Sequence, residues 1–204
     1  MSLLEKKLFL GLDESNNGKV PEIVVLTYST KYNGTQKELL KGREINLKKK
    51  ETIPEILTSQ DFDFRFMVLY DDFFNELRSI SKKQVYNIKH ICQVYNFLTN
   101  LKKENILPKN YKLILDGKAH KPEVTEEFLK SKSLKMPVFK QKADKRVHLV
   151  NLADRLAHQF FRDLVVRNNR DTKKNLIGKY WKNRIYPNVD NSFKEYFTNY
   201  FENS

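Results

Sequence analysis

The stretch Leu8 to Gly18, LFLGLDESNNG, constrains this chain more than any other. An apolar run of strand character ends in two adjacent carboxylates, Asp13 and Glu14, followed by a turn-forming Ser-Asn-Asn-Gly. Successive side chains of a strand point to opposite faces, so at least one of the two carboxylates is aimed at a face that a folded domain covers. Such a group needs a compensating partner. A Lys, an Arg or a divalent cation would serve, and clustered oxygen donors suit magnesium or manganese. Turn chemistry offers a second account, in which Asp13 caps a turn with Ser15, Asn16, Asn17 and Gly18.

Downstream, strand patterns give way to strands alternating with helices. Glu22 to Ser29 reads as a second strand after a hairpin-like turn, Arg43 to Leu47 as a short third, and Phe64 to Tyr70 as another. Asp71 and Asp72 fit the capped start of a helix. From Lys82 to Glu104 apolar residues recur at three- and four-residue spacing, which predicts a long amphipathic helix with Cys92 and Tyr95 in the core. Tyr111 to Leu115 is a short buried strand ending in Asp116-Gly117. A helix over Glu123 to Lys132, a strand over Met136 to Lys140 and a polar connection carrying Asp144 follow. Val147 to Val166 is the second long helix, with Asn151, Asp154 and His158 on a stripe beside its apolar side.

This order predicts an α/β domain with a mixed β-sheet flanked by helices over residues 1–167. The aromatic-rich residues 168–204 read as a small helical extension packed on it. Functional groups of such sheets collect at strand ends. Asp13, Asp116 and Asp144 occupy such positions, and a long helix lying across the end of the sheet would bring Asp154 to them.

Charge bears on the partner. The 204 residues hold 38 Lys and Arg against 25 Asp and Glu, a net +13 that favours a polyanion, nucleic acid before an acidic membrane. A Lys- and Asn-rich composition imposed by an AT-rich genome would give the same excess. The lone Cys92 excludes an intrachain disulfide and a cysteine-built zinc site and fits a reducing compartment, the cytoplasm by default. The first apolar run is too short for a signal peptide, and no stretch approaches the about 18 to 20 apolar residues of a membrane span.

The arrangement resembles type 2 ribonuclease H of the ribonuclease H-like superfamily. There an Asp-Glu pair on the first strand, an Asp before Gly on a later strand and a further Asp build the metal site. The matching positions are Asp13 and Glu14 in GLDESNNG, Asp116 in LILDG and Asp144 in QKAD. Asn16-Asn17-Gly18 stands where that family has a backbone-reading Gly-Arg-Gly, so its junction-specific activity does not carry over. Asp13-Glu14-Ser15 and Leu152-Ala153-Asp154 are similar to a second ribonuclease H-like family, which opens with Asp-Glu-Ser and carries Leu-Ala-Asp on a late helix.

The resemblance implies a nuclease that hydrolyses phosphodiesters of RNA, RNA/DNA hybrid or structured DNA with two magnesium or manganese ions. Asp13 would bridge the ions, Asp116, Asp144 and Asp154 would complete the shells, and Glu14 would be a further ligand or stand behind them. Asn16, Asn17, Lys118, His120, Lys142, Lys145 and Arg146 flank the acids and are placed to hold phosphates, although each basic residue also fits a solvated face. His158 would assist the leaving group or orient Asp154, although such a histidine also fits a helix surface or a satisfied place in the core. Tyr180, Trp181 and Tyr186 either stack on bases or pack the extension. The alternative function is a basic nucleic-acid-binding module with a degenerate acidic site.

Overall fold

The computed structural model describes residues 7–15, 21–30, 62–69, 82–119, 122–161, 182–188, 193–196 and 199. Its strands are β1 (Leu8–Glu14), β2 (Glu22–Ser29), β3 (Asp63–Leu69), β4 (Tyr111–Asp116) and β5 (Val138–Lys140). Its helices are α1 (Lys82–Lys103), α2 (Pro122–Ser131), α3 (Ala143–Arg146) and α4 (His148–Phe161), and a 3-10 turn spans Lys182–Arg184. The strands form one mixed sheet in the order β3-β2-β1-β4-β5. Pairing is antiparallel between β1 and β2 and between β2 and β3, and parallel between β1 and β4 and between β4 and β5.

Period-two alternation sorts β1 between two helical layers. Leu8, Leu10 and Leu12 join Val24, Leu26, Leu113 and Leu115 in the core under α1, with Ile88, Ile91, Val94 and Leu98 above them. Phe9 faces the opposite layer, where it packs with Leu149 and Leu152 of α4. All of β2 is buried, which a strand covered on both faces requires. Full burial of each such aliphatic side chain contributes about 1.5 to 3 kcal/mol.

The start of α4 comes so close to β1 that a Cβ on Gly11 would lie 2.5 Å from the carbonyl carbon of Leu149 and from the backbone nitrogen of Val150. Glycine is therefore required there by the helix above it and not by its own dihedral angles. The Thr27 hydroxyl donates to the Leu149 carbonyl at 2.7 Å and ties the same turn to β2. Further along, Ala153, Leu156, Ala157 and Phe160 pack on Ile23, Val25, Phe64 and Phe66, with the Phe66 and Phe160 rings 4.7 Å apart.

Two expectations change. The helix expected from Val147 is preceded by the short α3, and Val147, extended at φ −124°, separates the two. Asp144 consequently lies in the first turn of α3 and not in an irregular connection. Moreover, α4 does not lie across the end of the sheet; it runs over the face of β1 and β2, because its apolar side is matched to theirs. The strand at Arg43 to Leu47, the Asp71-Asp72 cap, the continuation of α4 past Phe161, and Asn16, Asn17, His120, Tyr180 and Trp181 lie outside the described residues.

Beyond the 3-10 turn, Ile185 bridges Phe66 in parallel and the Tyr186 N–H donates to the Phe66 carbonyl. Tyr186 is buried against Phe97, and Phe193 stacks on Tyr95 at 4.6 Å. For Tyr186 this is packing, not a base-stacking platform. Among the described residues no helix is long and apolar enough to cross a membrane.

Candidate active site

Strand pairing builds the centre of the site. Leu12 of β1 pairs in parallel with Leu115 of β4, so the next residues, Asp13 and Asp116, end adjacent strands side by side. Asp116 is fixed by its loop: one carboxylate oxygen, Oδ1, accepts the Gly117 N–H and the Ala143 N–H, each at 2.8 Å. Gly117 sits at φ 97°, a conformation that favours glycine. The Ala143 bond also joins β4 to the start of α3, and the Asn151 side chain of α4 donates to the Asp144 carbonyl at 2.8 Å. In this way the segments carrying Asp116, Asp144 and Asp154 are held to one another.

The five carboxylates Asp13, Glu14, Asp116, Asp144 and Asp154 line a cavity of about 510 Å3, together with His90, His158 and Phe161. They come from β1, β4, α3 and α4. Burial first, then the charges of Glu14, Asp154 and Asp116, push the Asp13 carboxyl up from 3.8 to about 9, although it accepts the Glu14 N–H at 2.9 Å. Burial is the larger cause, and the neighbouring carboxylates add to it. The His158 ring, exposed at the rim, stands 3.4 Å from Asp154.

Glu14 turns to the other face of β1, as alternation demands. There its Oε2 meets the Nε2 of His90 on α1 at 2.8 Å, with both side chains less than a tenth exposed. Burial alone would lower the His90 pKa; the Glu14 charge and hydrogen bond outweigh it and raise it. Beside this pair, Lys89 and Glu22 form a buried ion pair between α1 and β2. Sequence reasoning missed both, although a signal existed: Lys89, Gln93 and Asn96 form a polar stripe at helical spacing, which reads as a solvated face, and all three are buried with His90. Ser15 has a structural part. Its hydroxyl accepts the Ile23 N–H at 3.1 Å and its own N–H donates to the Ile23 carbonyl, which closes the β1–β2 end.

Of the residues expected to hold phosphates, Lys118, Lys142, Lys145 and Arg146 are exposed on the β4–β5–α3 side, where the loop after Asp116 and the first turn of α3 lie. Among the described residues no three His, Cys, Asp or Glu side chains are drawn together into a finished coordination shell. In chemistry and charge, the hard-oxygen donor set facing this cavity fits magnesium or manganese.

No family model and no curated protein matches the chain. Solved structures do. The ribonuclease HII of Archaeoglobus fulgidus, seen in a complex with PCNA, aligns over 96% of this chain and 89% of its own at 14% identity, with a TM-score of 0.50. Ribonuclease H2 of Pyrococcus horikoshii OT3 aligns over 96% and 88% at 21% identity and a TM-score of 0.48. A point mutant of Bst-RNase HIII aligns over 76% and 54% at 15% identity and a TM-score of 0.44.

Proposed function

We propose that this chain, whose ribonuclease H-like fold sets a mixed five-stranded sheet between helical layers, is a divalent-metal-dependent nuclease. Its substrate would be RNA, RNA/DNA hybrid or structured DNA. The observation that carries this reading is the gathering of five carboxylates from four elements at one cavity.

Asp13, Asp116, Asp144 and Asp154 would hold the cations, with Glu14 beside them. Bound there, magnesium or manganese would activate water and stabilise the entering and leaving oxygens of an in-line phosphodiester displacement. The chain's own residues do the rest. Asp116 keeps its place through two backbone N–H bonds to Oδ1, neither of which engages Oδ2. His158 can carry a proton at Nε2 beside Asp154, at the exposed rim where a leaving oxygen can reach it. Lys118, Lys145 and Arg146 supply phosphate contacts that position the polymer without reading its sequence. Asn16 and Asn17 follow the β1 carboxylates in the chain and would contact the same backbone.

The test is cleavage of labelled hybrid, duplex RNA and branched DNA in magnesium and in manganese, with Asp13→Asn beside the wild type. Metal-dependent cleavage that Asp13→Asn abolishes supports the reading. If the wild type binds these polymers and cuts none, and neither cation raises its melting temperature, the degenerate binding module replaces the nuclease.

A further inference from the structure

At the site end of the sheet face under α1, β1 and β2 bring Glu14 and Glu22 beneath two successive helix residues, His90 and Lys89. Stability alone is a weak account of this arrangement, since a buried charged pair gains little over well-packed apolar side chains. We propose that His90 is a positioning residue: it fixes the Glu14 carboxylate at the cavity so that Glu14 meets a divalent cation in one orientation. The inference rests on the reading of the cavity as a metal-dependent nuclease site.

A glutamate at a strand end is a flexible ligand, and ordering it on binding costs side-chain entropy. The 2.8 Å bond from Glu14 Oε2 to His90 Nε2 orders it beforehand. The His90 ring is itself fixed by elements outside the site. Its helix neighbours Ile91 and Val94 are buried in the core over the sheet, and the Lys89–Glu22 pair holds the same turn of α1 to β2. His90 is almost wholly buried, so it acts through Glu14 and not on a polymer in the cavity. Partners that orient metal ligands typically carry about 10- to 100-fold of metal affinity.

Manganese affinity, measured by calorimetry with the metal alone, tests this in His90→Leu, His90→Gln, Glu14→Gln and the double variant His90→Leu/Glu14→Gln. Metal-free melting of each variant checks the fold. His90→Leu is expected to weaken manganese binding by about 10- to 100-fold. His90→Gln keeps an N–H donor and restores most of the affinity, and His90→Leu adds no further loss once Glu14 is Gln. Wild-type affinity in His90→Leu overturns the inference, as does a loss that persists in the Glu14→Gln background. Should His90→Leu fail to melt cooperatively, His90→Asn, too short to reach Glu14, replaces it: Asn losing affinity that Gln keeps supports the inference, and equal affinities overturn it. A wild type that binds no manganese and cuts nothing removes the nuclease reading and this inference together. Normal wild-type binding with an indifferent His90→Leu removes this inference alone.

Discussion

Asp13 is the residue on which charge, burial and position meet, and its substitution separates chemistry from folding. Asp13→Asn keeps size and hydrogen-bonding capacity but removes the charge. Cleavage should fall by at least about a hundredfold while polymer binding stays equal or tightens, measured by single-turnover assay and by titration. The same residue makes metal-free stability depend on pH. Its carboxyl titrates near 3.8 when unfolded and at about 9 in the fold, so between those values the folded state binds the extra proton. Stability contributed by that proton is present at low pH and is lost as pH rises toward 9. Melting in a chelator at pH 5 and pH 8 should show a larger drop for wild type than for Asp13→Asn. Equal drops would mean that Asp13 does not hold that proton.

At the scale of elements, the contact between β1 and α4 sets where Asp154 stands relative to Asp13. Gly11→Ala places a methyl group against the helix backbone, which cannot give way as a flexible side-chain tip can. Overpacking of this kind costs about 1 to 3 kcal/mol, and roughly 3 to 10 °C of melting temperature for a chain of this size. Displacement of α4 should also lower cleavage beyond what the stability loss explains, assayed well below the melting temperature. Thr27→Val, which removes the bond to the Leu149 carbonyl, should cost about 1 kcal/mol by chemical denaturation.

Over the whole molecule, positive charge is in excess by 13 while the cavity itself is acidic. The two fit together if basic residues around the acids hold phosphates and the acids act between them. Binding to duplex DNA, followed across salt concentrations, should then fall linearly on a double-logarithmic plot with a slope of about −0.9 for each phosphate neutralised. Charge reversal of Lys145 and Arg146 should flatten that slope without altering metal-free melting. A slope unchanged in that variant would place the polymer elsewhere on the surface.

Local patterns in the chain were enough for the alternation of strands and helices, the apolar faces that make a sheet between two helical layers, and the strand-end places of Asp13 and Asp116. All of these are written in period two, period 3.6 and turn residues. What each acid faces came from the packed fold. Strand register set Asp13 beside Asp116, and alternation sent Glu14 to α1, where His90 met it. The burial of Lys89, Gln93 and Asn96 was not legible in the sequence, because periodicity reports which residues share a side of a helix and not what covers that side. Asp144 and Asp154 reached the cavity through one bond from Ala143 to Asp116 and the close seat of α4 on Gly11, contacts between residues far apart in the chain that no local pattern encodes.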